Sequence, residues 1–265
     1  MPREFISGHH HNSPKETPGR TSHVSAITDE TMRPEVLSSR GAVMEKWLRR
    51  FAIVLLTVFV GTGLVYHLGL RHWCLRWGTT LAEARANLPG DKLFPAYSSE
   101  ATHAITIQAP PEKVWPWLMQ IGQDRSGFYS YTFLENAFGC DMPKVEHLVP
   151  DWKARTPGET VWFCNPRRFS GQGKMIPAMV DTDRAFAMVS PDDWQRLQVG
   201  QYAQDGIWSF TLQSEGNRTR LIARVRGGTP PSLVSRMIGR LFWEPAHFVM
   251  EQKMLRTIRD LAEQS

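Results

Sequence analysis

Three groupings of polar side chains in this 265-residue chain have spacings that can support chemistry. The stretch Gly122-Gln-Asp-Arg-Ser-Gly-Phe-Tyr-Ser-Tyr-Thr-Phe-Leu-Glu-Asn136 sets two tyrosines one residue apart, close to Asp124, Arg125, Glu135 and Asn136. Such a set can orient the carbonyl or hydroxyl of a ligand inside an apolar pocket, and Tyr129, Tyr131 or Asp124 can act as a general acid or base. The plainer alternative pairs Asp124 with Arg125, or makes it a turn cap, and buries the tyrosine rings with their hydroxyls on backbone. Glu244, His247 and Glu251 fall on one helical face at spacings of three and four, as in part of a carboxylate and histidine metal set. No partner motif supplies further ligands, so the expectation is no metal, and either a surface ion pair with Arg240 or Lys253 or a satisfied buried histidine. Asp192-Asp193 and Asp181-x-Asp183 fall in apparent turns and read as solvated acids. No G-x-S-x-G, phosphate loop or dinucleotide fingerprint occurs, so no cofactor is implied.

The elements that must position these residues are legible from periodicity. His103 to Gln108 alternates as a strand, and Pro110-Pro111-Glu112 opens a helix with Val114, Trp117, Leu118 and Ile121 as its buried stripe, bent at Pro116. A short helix over Thr132 to Phe138 ends at Gly139, and strands follow over 160–164, 174–181 and 185–190. The clearest hairpin pairs Ile207 to Leu212 with Arg220 to Arg226 across Gly216-Asn217. Its one face is oily and its other face, carrying Arg220, Arg224 and Arg226, is expected to be solvated or to meet anionic lipid. Residues 231–264 read as a long helix interrupted at Pro245, with Val234, Met237, Ile238, Leu241 and Phe242 continued by Phe248, Met254, Leu255, Ile258 and Leu261 as one buried stripe. Trp117, Trp162, Trp208, Phe210, Met250 and Met254 lie on elements that face the interior between sheet and helix, and are the apolar candidates for ligand contact, with Phe186 and Met188 beside them.

Phe51 to Leu70 contains no Asp, Glu, Lys or Arg, and as a helix it covers ~30 Å, the thickness of a bilayer core. Lys46, Arg49 and Arg50 precede it, Arg71 and Arg76 follow, and Trp47, Trp73 and Trp77 flank it as interfacial rings. The expectation is a single membrane helix over 46–72, after a mobile tail over 1–45 that holds the His9, His10, His11 triplet and before a connector over 73–97. The cationic residues on the N-terminal side outnumber those beyond, which favours a cytoplasmic tail and a translocated domain over 98–265. That domain is nearly neutral, with 19 Lys and Arg against 18 Asp and Glu, so nucleic acid is not an expected partner despite the net charge of +5. Cys74, Cys140 and Cys164 are too few for a disulfide scaffold, and a bridge between Cys140 and Cys164 is left open.

A strand, two helices, a run of antiparallel strands and a long last helix define an α+β class in which a curved sheet grips one helix. The stretch His103-Ala-Ile-Thr-Ile-Gln-Ala-Pro-Pro-Glu-Lys-Val-Trp-Pro-Trp-Leu-Met-Gln-Ile-Gly122, with Trp243-Glu-Pro-Ala-His-Phe-Val-Met-Glu-Gln-Lys-Met254, resembles the START-related, polyketide-cyclase-like superfamily. The resemblance spans roughly residues 98–265 and is to a membrane-tethered branch. It implies a helix-grip domain with a deep apolar cavity for a lipid or another hydrophobic small molecule. It carries over no catalytic residue, because the catalytic sets of the superfamily's enzymes have no match here. Binding of such a molecule beside a membrane is therefore expected, with a cyclase, dehydratase or hydrolase on an apolar substrate, or a membrane interaction module with a filled core, as alternatives.

Overall fold

The computed structural model describes residues 34–265, with side chains from Val43 onward. The His9 to His11 triplet and most of the expected tail lie outside the described residues. Helix α1, Pro34–Val65, begins inside the segment read as tail, with proline in the first turn where its missing N–H costs nothing. A π-helical turn, Tyr66–Leu70, and the short α2, Arg71–Cys74, carry the helix onward. Over Val43–Cys74 it is long and apolar enough to cross a membrane, and none of its most apolar window is buried. Among the described residues, those up to Thr57 and those over Val58–Ser265 fall into two units, and the second contains every site considered below.

In the second unit a six-stranded antiparallel sheet has the order β1-β6-β5-β4-β3-β2. Its strands are β1 (Ser99–Ile107), β2 (Val161–Trp162), β3 (Lys174–Asp181), β4 (Ala185–Val189), β5 (Gly206–Ser214) and β6 (Thr219–Gly227). A register shift at Pro177 and Met179 bends β3, as expected where proline cannot donate to the ladder. Helices α4 (Pro111–Met119) and α5 (Thr132–Ala137) occupy the long β1 to β2 connection. The chain closes with α7 (Leu233–Ile238), a π-helical turn (Gly239–Trp243) and α8 (Glu244–Gln264). Helix α8 buries Met254, Leu255 and Ile258 in the same core as Ile107, Trp117, Phe210 and Leu221, while its Phe248 is buried against Trp73 and His103.

Four expectations are corrected. The hairpin's arginine face is not solvated: Arg224 is 1% exposed and Arg226 is buried as well. The segment read as a connector folds over that face as α3 (Leu81–Arg85) and a 3-10 turn (Pro89–Leu93), burying Leu88 and Phe94. All five Arg224 donors find partners: Nε donates to Thr102 Oγ1, Nη1 to Asp91 Oδ2 and the Ala86 carbonyl, and Nη2 to the carbonyls of Glu83 and Ala84. The carbonyls at the end of this five-residue helix supply what the sheet cannot, and a guanidinium's planar fork matches them.

Second, Asp192-Asp193 is not a solvated turn. It opens α6 (Pro191–Gln198), capped by Ser190, and Asp193 is fully buried. Burial alone would raise its carboxyl, but backbone N–H groups of Gln204, Asp205 and Gly206 together with Arg196 hold it below the usual range. Third, the apolar stripe before Pro245 does not join the core: Val234, Met237, Ile238 and Phe242 are exposed. Fourth, Glu244 forms a bidentate pair with Arg71 at 2.7 and 2.9 Å instead of meeting Arg240. The question left open for Cys140 and Cys164 is answered by a bridge between them.

Candidate functional site

Strands β3, β5 and β6 and helix α8 do not meet everywhere on the sheet's inner face. A cavity of about 600 Å³ remains between β5, the loop before α5 and the first turns of α8. Trp208 from β5, Phe128 from the loop and Phe163 after β2 form a stacked wall with ring centroids 4.9 to 5.9 Å apart. Met175, Met250 and Met254 line the rest with flexible thioethers. Polar side chains also line it: Ser130, Glu135, His247 and Glu251, with Lys174, Ser190, Asp205 and Arg226.

Glu251 is 3% exposed and lies among three partners. Trp208 Nε1 donates to its Oε1 at 2.6 Å, His103 Nδ1 shares a proton with its Oε2, and His247 Nε2 lies 3.4 Å from Oε2. His103 Nε2 sits 2.7 Å from the Cys74 carbonyl, which can only accept, so Nε2 carries a hydrogen and Nδ1 faces Glu251. Burial would raise Glu251, yet the imidazoles of His247 and His103 outweigh it and hold the carboxyl well below its ordinary value. For His247, burial pulls the ring down and the Glu251 charge pushes it up, with a net rise. Sequence reading did not single out His103, because a histidine inside an alternating strand carries no local sign of its partner. The His247 and Glu251 spacing was the only signal available.

Glu135 differs in kind. Burial pushes its carboxyl up to about 7, and Oε2 is shielded with no partner among the described residues. A carboxyl that changes charge near neutrality inside an apolar cavity can donate a hydrogen bond to a ligand when protonated and attract a cationic group when not.

Of the sequence candidates, Glu135, Trp208, Met250 and Met254 line the cavity. The others do not, and each has another partner. Asp124 pairs with Arg155 at 2.9 Å, and Arg125 donates to the carbonyls of Met119 and Lys153 at 2.6 and 2.8 Å. These contacts close the loop from Gly122 to Gly127, whose ends pair as a β-bridge. A Cβ at Gly122, where φ is +124°, would come within 2.6 Å of Asp124 Oδ1. The loop in turn projects Phe128 into the cavity, and Ser130 Oγ donates to the Met250 carbonyl at 2.8 Å, fastening it to α8. Tyr129 adopts φ of 56°, buries its ring edge-on to Trp117, and places its hydroxyl 2.8 Å from Ser126 Oγ. Tyr131 packs against Phe133, Trp162 lies under Lys174, and Phe210 is enclosed between Phe186 and Trp208.

No protein-family model matches the chain, and no curated protein matches it. Solved structures overlap it weakly. Protein MLL2253 from Mesorhizobium loti is 13% identical, with a TM-score of 0.34, covering 63% of this chain and 98% of its own. The Aha1 dimer from Colwellia psychrerythraea is 17% identical, with a TM-score of 0.34 and coverage of 63% and 97%. DynU16, a protein of the dynemicin biosynthetic locus, is 13% identical, with a TM-score of 0.32 and coverage of 60% and 46%. Scores this low transfer nothing from one chain to another, so the architecture rests on the strand order and packing described above.

Proposed function

We propose that this chain is a membrane-anchored binder of a hydrophobic small molecule or lipid, held between the sheet and α8 in a START-related helix-grip domain. The observation that carries the reading is the unfilled apolar space of about 600 Å³ beside Trp208, within the ~300–1,000 Å³ that small-molecule sites occupy. Its mixed lining suits an amphiphile, with Glu135 and His247 as groups that can meet a hydrogen-bonding head. The Val43–Cys74 helix would place the domain beside the bilayer in which such a ligand dissolves. The Cys140 to Cys164 bridge fits an oxidising compartment, and so a translocated domain, with Arg33, Arg40, Lys46, Arg49 and Arg50 on the cytoplasmic side.

A second reading, catalysis on an apolar substrate, is favoured by one observation: the Glu135 carboxyl near pKa 7 inside the cavity. The acid would then be Glu135 rather than Asp124, Tyr129 or Tyr131, which lie outside the lining. Native mass spectrometry of the full chain from mild detergent, with thermal shifts against a lipid panel, tests the leading reading. A co-purifying adduct and a shift, both lost in Met250→Trp, are expected. Absence of adduct and shift in the wild-type chain would overturn it.

A further inference from the structure

Residues 233–243 form an apolar surface that nothing in the domain covers. Leu233 is 71% exposed, Met237 60% and Phe242 51%, with Val234 and Ile238 between them. Their polar neighbours, Ser235, Arg236, Gly239 and Arg240, turn the other way and line a cleft with Arg71, Ser99 and Glu100. The segment is therefore amphipathic with its oily side outward, the reverse of a core helix.

Two contacts set where that oily side lies. Glu244, at the foot of the segment, pairs with Arg71, the first cation after the apolar run. Leu241 Cδ2 lies 3.7 Å from where a Cβ of Gly63 would be. Eight residues of helix separate Gly63 from Arg71, about 12 Å along the axis at ~1.5 Å per residue. If Arg71 marks the edge of the bilayer, Leu241 stands well inside it.

We infer that residues 233–243 are a second membrane contact of this chain, an interfacial helix that sinks Leu233, Val234, Met237, Ile238 and Phe242 into the lipid leaflet next to Arg71. The inference rests on the reading of Val43–Cys74 as a membrane helix and goes beyond ligand binding. Its occupant is lipid, because the face continues the surface of the apolar helix at Gly63, and because Arg236 and Arg240 on the polar side can reach headgroups with their stems along the apolar one. A consequence concerns the cavity. Trp243, Ala246, His247 and Met250 follow directly in the chain and line it, so the proposed lipid contact adjoins one wall of the cavity.

The test uses the full chain with Cys74→Ser, reconstituted in phosphatidylcholine vesicles with brominated acyl chains. Single variants Met237→Cys, Phe242→Cys, Leu55→Cys and Tyr202→Cys carry a bimane label, and near-ultraviolet circular dichroism verifies folding. Quenching at 237 and 242 comparable to that at 55, and at least threefold above that at 202, is expected. Quenching at 237 and 242 no greater than at 202, with 55 quenched, overturns the inference and leaves the anchor and the cavity reading standing. Disulfide-linked dimers of unlabelled Met237→Cys, together with an unquenched label at 237, overturn it in favour of a second copy. An unquenched label at 55 removes the membrane helix and this inference together, while the lipid panel still reads the cavity.

Discussion

Replacing Glu135 by glutamine keeps the shape of the protonated acid and removes its titration. The folded chain holds this carboxyl at about 7, against an ordinary 4.5, because the cavity withdraws it from water. A raised carboxyl makes its full contribution below the unfolded value and loses it as pH rises through the folded one, since the folded state must then carry a poorly solvated charge. At ~1.4 kcal/mol per pH unit the full span between the two values is about 3 kcal/mol, and partial exposure of the side chain reduces this to about 1–3 kcal/mol. Glu135→Gln should therefore match the wild-type chain at pH 4.5 and exceed it by about 1–3 kcal/mol at pH 8. Urea unfolding of the delipidated full chain in detergent micelles, followed by tryptophan fluorescence at half-unit steps of pH, measures the gap. A gap that does not change with pH, or a variant less stable than wild type at pH 8, would refute the account of Glu135 as a desolvated acid without a partner.

Three further outcomes follow from the buried polar groups and the disulfide. Arg224→Ala and Asp91→Ala should each cost about 3 kcal/mol, the low end for breaking a buried pair because Asp91 keeps Arg226 and Arg224 keeps its carbonyl partners, and the double variant less than their sum; urea unfolding of the cycle reads the coupling. Glu251→Gln should destabilise by about 3 kcal/mol and alter the pH dependence. The depressed carboxyl contributes in full above about 4.5 and is lost as pH falls through its folded value, while the raised His247 contributes in full below about 6.5 and is lost as pH rises through its folded value, so the wild-type advantage should be largest between 4.5 and 6.5. A pH-independent difference in melting temperature would contradict the assigned pairing. Cys140→Ser should cost about 3 kcal/mol through the loop of 24 residues it releases, and added reductant should bring wild type to the same midpoint.

Periodicity alone determined the elements. The β5 and β6 hairpin, the helix opened by Pro111 and the long final helix all carry alternations or stripes set by neighbours within a few residues, and these are local properties of the chain. The apolar run before Arg71 was legible for the same reason, since length and absence of charge suffice to define it. Tertiary structure decided which polar groups are buried and with whom. Arg224 reads as a solvent-facing strand residue until residues 81–94 fold across it, a contact made by 130 or so residues of chain separation that no short pattern encodes. His103 and Glu251 are 148 positions apart and meet only because β1 lies beneath α8. The two apolar stripes around Pro245 look alike in sequence, yet one fills the core and the other faces outward, because hydrophobicity states that a side chain must leave water and not what must cover it.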